Sequence, residues 1–300
     1  MLKVAWSSHY NHPLPVGHRF PMIKYELIRE QLLFEGTLEQ ANFFEPLPVS
    51  DELICKTHDK AYLDKLKSLN LSQKEIRKTG FPLSFELVQR EILIAGGTVM
   101  CSDYALENGV SMNVAGGTHH AYFNYGEGFC LLNDQAIAAN YLLSSGKSKK
   151  VLIVDLDVHQ GNGTATLFAN DPKVVTLSFH GSKNYPFKKE ISDYDIALDD
   201  DIGDDIYLDL LEVTLKKIYQ KERPDFIFYQ SGVDALKEDK LGRLGMSIKG
   251  LKTRDEMVFS FCLRYSLPVV VCMGGGYSSS LYQIIEAHSN TYRLVKDLYQ

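Results

Sequence analysis

The chain has 300 residues, 45% of them hydrophobic and 23% charged, enough apolar material to bury a large core. Its formal charge of −6 is dispersed, with no basic cluster, which argues against direct nucleic-acid binding. The chain has no run of about 18 apolar residues and no apolar stretch near the N-terminus, so neither a membrane span nor a signal peptide is expected.

Strand patterns fall at 2–6, 111–115, 150–156, 173–179, 225–230 and 268–273, separated by helical patterns, the alternation of a parallel α/β sheet. A helix is expected over 84–107, opened by Ser84 as N-cap and closed by Asn108-Gly109. A second is expected to be capped by Asp134 and to stop near Gly146, and others cover 204–222, 249–264 and 278–297. Residues 180–203 show no periodicity and are read as a long loop. The five cysteines lack C-x-x-C spacing and lie mostly in apolar segments, as expected of reduced, buried thiols in a cytoplasmic protein; Cys130 is the one to watch near a site.

The chemistry concentrates where apolar runs end. V-L-I-V-D-L-D-V-H at 151–159 is a buried strand whose exit carries Asp155, Asp157 and His159 two residues apart, so metal-capable groups can share one face. N-V-A-G-G-T-H-H at 113–120 ends in the pair His119-His120. F-I-F-Y-Q-S-G-V-D at 226–234 ends in Asp234, and V-V-V-C-M-G-G-G-Y at 269–277 ends in Tyr277 on a glycine run that gives it a flexible backbone. The C-terminal edge of a parallel sheet is where such groups converge. Two carboxylates and an imidazole leave positions open for water and substrate, as in catalytic zinc sites. Two histidines suit proton transfer and a phenol suits an oxyanion, so the set reads as metal-assisted amide hydrolysis.

The segments G-G-T-H-H-A (116–121), G-E-G-F-C (126–130), D-L-D-V-H-Q-G-N-G-T (155–164), S-G-V-D-A-L (231–236) and G-G-G-Y (274–277) resemble the motifs of the zinc-dependent histone deacetylase family, in order and over nearly the whole chain. Residues 232–247 and 252–259 most resemble its class IV branch and bacterial relatives. The resemblance implies one arginase/deacetylase-type domain over 1–300, a three-layer α/β fold with a central parallel sheet of about eight strands. It implies zinc, or iron, bound by Asp157, His159 and Asp234, with His120 as general base and His119, oriented by Asp155, as electrostatic or acid partner. Tyr277 would bind the substrate carbonyl, and Gly128 and Phe129 would face Tyr185 across a tunnel for an acylated lysine of a protein or peptide. A potassium ion would sit behind the zinc on Asp155, Ser178 and the carbonyls of Asp157, His159 and Phe179. Asn162 stands where some members carry an aspartate beside the second histidine, and Arg19 is placed as a residue of an acetate-exit channel.

Three other readings are weighed. An acetylpolyamine deacylase would carry a glutamate gatekeeper where this chain has Leu241; a binuclear manganese ureohydrolase needs further aspartates near Asp234. An inactive acyl-lysine binding module would have no need of His119, His120 and Tyr277 together with the three ligands. Relatives in the class IV branch remove long fatty acyl groups, so the preferred acyl length stays open.

Overall fold

A computed structural model describes residues 1–300. Short, β-branched apolar runs become strands: β1 (Lys3–Ala5), β2 (Phe43–Phe44), β3 (Val110–Asn113), β4 (Val151–Asp155), β5 (Val174–Gly181), β6 (Tyr194–Leu198), β7 (Phe226–Gln230) and β8 (Val269–Cys272). All pairings are parallel, in one eight-stranded sheet of order β2-β1-β3-β8-β7-β4-β5-β6. The helices are α1 (Lys24–Phe34), α2 (Asp51–Ile54), α3 (Lys60–Lys67), α4 (Gln73–Thr79), α5 (Phe85–Asn108), α6 (Asp134–Ser144), α7 (Asn162–Phe168), α8 (Asp204–Glu222), α9 (Ile248–Arg264) and α10 (Leu281–Tyr299). None is long and apolar enough to cross a membrane.

Strand alternation divides the interior. Val151 and Ile153 of β4 join Ala136, Ala139 and Cys101 of α6 and α5 on one face, while Leu152 and Val154 join Leu215 and Val258 of α8 and α9 on the other. Burial on both faces explains why the central strands read as continuous apolar runs, and it gives the expected three layers.

The differences from the sequence reading are local. Residues 180–203 are not structureless: Tyr194–Leu198 pairs with β5 at the sheet edge. Its burial alternates, as an edge strand's can, so no apolar run announces it. The N-cap of α6 is Asn133, whose side chain accepts from Ala136 N, and not Asp134. The Asp134 carboxylate is instead recruited to the loop after β3, where it accepts from the Gly117 and Thr118 amides and from the hydroxyls of Thr118 and Thr98.

Asn133 is itself held by His58, a buried neutral ring that donates from Nδ1 to Tyr122 O and accepts at Nε2 from Asn133 N, both at 2.9 Å. Burial pushes His58 down to about 4, the Tyr122 carbonyl opposing it. Below about pH 6.5 the unfolded chain therefore binds a proton that the folded chain refuses, and stability falls as pH drops toward 4. The full loss from this one ring is about 3 kcal/mol. Urea unfolding across that interval should show a shallower decline for His58→Gln than for the wild-type chain; equal slopes would remove His58 from the acid sensitivity.

Candidate active site

Four strand ends on one edge of the sheet deliver the polar groups of a single pocket. The loop after β3 brings His119 and His120, that after β4 brings Asp157 and His159, that after β7 brings Asp234, and that after β8 brings Gly275 and Tyr277. His119, His120, Gly128, Phe129, Asp157, His159 and Tyr277, all singled out in the sequence, line one cavity.

Asp157, His159 and Asp234 are buried, with one ligand atom of each lying within 4.8 Å of the others. His159 Nδ1 is 3.0 Å from Asp157 Oδ1 and 3.1 Å from Asp234 Oδ2. Tetrahedral zinc, with bonds of about 2.0–2.2 Å, needs ligand separations of about 3.3–3.6 Å, so small outward movements accommodate such an ion. The remaining oxygens are held by backbone amides: Asp157 Oδ2 by Gly275 N at 2.7 Å and Asp234 Oδ1 by Val158 N at 2.9 Å. Burial and then the Asp157 charge push the Asp234 carboxyl up to about 7. Two buried carboxylates this close call for a positive charge between them, and a divalent cation supplies it.

Beneath this cluster lies Arg254, buried on α9. Its guanidinium donates to the carbonyls of Gly232 and Leu156 at 2.7 and 3.3 Å and pairs with Asp255 at 2.7 Å. One side chain thus ties the exits of β4 and β7 together. The resemblance to class IV covers Arg254 without suggesting this role.

The two histidines differ in their partners. His119 Nδ1 lies 2.6 Å from Asp155 Oδ2, and its Nε2 faces the carboxylate cluster, 4.0 Å from Asp157 Oδ1. Burial works against a charge on this ring, but Asp155 outweighs it and raises His119 above an ordinary imidazole. His120 Nδ1 lies 2.6 Å from Asn162 Oδ1. The amide's orientation is fixed, because Oδ1 also accepts from Gly163 N while Nδ2 donates to Glu127. His120 therefore carries its hydrogen on Nδ1, leaving the Nε2 lone pair free. Burial, then the neighbouring His119 and His159, hold His120 well below the usual histidine range. Environments that split two like groups this way separate an acid from a base.

Tyr277 is half-buried, its ring 6.3 Å from that of His159 and 6.0 Å from that of Phe129. Burial, then the Asp157 and Asp234 charges, push its phenol well above the usual range, so it stays a hydrogen donor. The glycine run behind it is more constrained than a flexible hinge. Gly274 O accepts from the buried Lys24 ammonium, Gly275 O accepts from Val233 N, and Tyr277 N donates to Asp239. Its glycines serve close approach: a Cβ at Gly275 would stand 2.0 Å from Asp234 Oδ2.

Phe129 lines the pocket, whereas Tyr185 stands beside His120 and is not among the lining residues. The Tyr185 ring stands perpendicular to His120 at 5.1 Å, and Phe129 packs against Phe20 and Phe81. Gly128 lies over His120, whose Cδ2 a Cβ there would meet at 2.6 Å. Leu241 is half-buried and is tied by its carbonyl to Asn184, beside Tyr185. Ser178 and Asp155 are register partners on adjacent strands, with Phe179 next along β5.

Arg19 is exposed, with its guanidinium 5.0 Å from the Phe129 ring centroid on the outside of the wall. The cation lining the pocket is the buried Arg90 of α5, a residue the sequence did not single out. Cys130 also lines the pocket, and burial pushes its thiol well above the ordinary value, which disfavours the thiolate.

The histone deacetylase domain pattern matches residues 18–292. An uncharacterized protein of Picosynechococcus sp. is 39% identical over 296 residues, covering 99% of both chains. Histone deacetylase 2 of Arabidopsis thaliana is 31% identical over 278 residues, 89% of this chain and 72% of that protein. Among solved structures, the HDA15 HD domain superposes with a TM-score of 0.83 at 20% identity, over 99% of this chain and 88% of that one, a likeness of fold.

Proposed function

The chain belongs to the histone deacetylase family, a family of hydrolases, and from that premise we propose that it removes acyl groups from the ε-amino group of lysine in proteins or peptides. The observation that carries this reading is the convergence, in one aromatic-walled pocket, of His119, His120 and Tyr277 on the carboxylate–imidazole cluster of Asp157, His159 and Asp234. Phe129 in the pocket wall and Tyr185 beside His120 would flank the aliphatic stem of lysine, which carries no charge once its amine is acylated.

Asp157, His159 and Asp234 would hold a zinc or iron ion, which supplies Lewis acidity toward the acyl carbonyl and toward water. Asp155, Ser178 and the carbonyls of Asp157, His159 and Phe179 are the potassium site in this proposal. The free Nε2 of His120 takes a proton from the attacking water. His119, holding its proton against Asp155, is the electrostatic or acid partner as the lysine nitrogen leaves. The Tyr277 hydroxyl donates to the oxygen of the acyl carbonyl as it gains charge. The products are a free carboxylate and lysine. Leu241 offers no carboxylate to a second amine, which argues against the polyamine substrate.

Tyr277→Phe tests this reading because it keeps the ring and deletes one donor. On metal-defined protein, with acetyl-, butyryl- and myristoyl-lysine peptides, the wild-type chain should turn over at least one of them. The variant should stay folded and metal-loaded, bind peptide, and lose about 10²–10³ in kcat. Wild-type kcat in the variant would remove the hydroxyl from this role, and wild-type protein that bound acyl-lysine without turnover would favour a binding module.

A further inference from the structure

Glu127, the acidic residue of G-E-G-F-C, is buried, with its side chain 7% exposed, and so far its one part has been to orient the Asn162 amide. Its Oε1 accepts from Asn162 Nδ2 at 2.6 Å, and its Oε2 pairs with Lys78 Nζ at 2.7 Å. Lys78 is 44% exposed and lies 3.6 Å from the centroid of the Tyr125 ring. Since Asn162 Oδ1 accepts from His120 Nδ1, a continuous line runs from His120 through one amide to a buried carboxylate and out to a surface ammonium.

The two histidines thus face different arrangements. His119 touches its carboxylate directly. His120 has a carboxylate one amide removed. A carboxylate in contact with the base would favour its protonated form before any water is activated. An amide alone would offer a dipole and no charge when the ring takes a proton. An amide whose N–H is bound by a carboxylate has a more electron-rich oxygen, because hydrogen bonds in a chain polarise one another. We propose that Glu127 is a positioning residue for the reaction: through Asn162 it fixes the Nδ1–H tautomer of His120 and stabilises the imidazolium that forms on proton uptake, with its second oxygen held by Lys78. The inference rests on the deacylase reading for its kinetic test, and a second measurement is independent of it.

Glu127→Gln preserves shape and an acceptor oxygen for Asn162, and removes the charge together with the acceptor that faces Lys78. It should lower kcat about tenfold with KM unchanged, the scale on which groups behind a working residue act. Asn162→Asp alone places two carboxylates face to face and should also be impaired. The double variant E127Q/N162D moves the single carboxylate one step inward, so it should regain most of the lost kcat. A merely structural role predicts additive losses. Independently of any substrate, the downfield Nδ1–H proton resonance of His120, identified by its disappearance in His120→Ala, should move upfield in Glu127→Gln. Unchanged kcat in Glu127→Gln, additive losses in the double variant, or an unmoved resonance would each overturn the proposal. A wild-type chain inactive on every acyl-lysine peptide, with the resonance shifting as expected, would overturn the deacylase reading and leave the positioning role standing.

Discussion

Asp234→Ala is expected to empty the metal site and abolish hydrolysis together. Asp234 Oδ2 approaches His159 Nδ1 at 3.1 Å, and its other oxygen is committed to Val158 N, so the carboxylate has one oxygen free for an ion and a fixed direction for it. Two protein ligands would remain of a set that in catalytic zinc sites numbers three. Leaving the Val158 amide without its acceptor costs about 1–3 kcal/mol, but the same change removes one of two adjacent buried carboxylates. The apo-variant should therefore stay folded, which separates loss of function from loss of structure. Metal content per chain and turnover on an acyl-lysine peptide are the paired measurements. One equivalent of metal with full turnover would take Asp234 out of the ligand set.

His120→Ala should cost roughly 10²–10⁴ in rate while metal content is unchanged, the usual contribution of a positioned acid–base group. Its ring is the one with a free Nε2, and burial with two neighbouring imidazoles keeps it an acceptor at neutral pH. His119 is shifted in the opposite direction, so His119→Ala should be damaging for a different reason, loss of the ring that Asp155 orients toward the cluster. A nearly silent His120→Ala beside a crippling His119→Ala would reverse the two assignments.

The groups read as catalytic were legible because each sits where an apolar run stops at a glycine or an ionisable residue, and a parallel sheet gathers those exits at one edge. The long helix from Phe85 to Asn108 was legible for a related reason, a serine cap and a left-handed glycine at its two ends. β2 was not, since two residues carry no period, and β6 was not, since an edge strand solvated on alternate sides needs no apolar run. Asp134 followed the pattern of a cap and was drawn off by four donors from other segments. Lys24 and Arg90 look like surface cations on helices, yet both are buried beside the pocket. Glu127 escaped for the same reason: a charged side chain in a glycine turn looks solvated until Lys78 and Asn162, distant in sequence, are seen to close over it.

The position of β8 bears on how the molecule comes into being. It is the last strand along the chain, yet it lies between β3 and β7 near the middle of the sheet. During synthesis the segments β2-β1-β3 and β7-β4-β5-β6 can each form, but each keeps an open, apolar edge where β8 belongs. Unpaired edges of this kind attract other chains, and closing a contact as distant as Val110 with Val269 is slow. From the completion of β7 at Gln230 until Val269–Cys272 is made, the nascent polypeptide therefore carries two half-sheets with open edges, and a holding chaperone should raise its folded yield most over that interval.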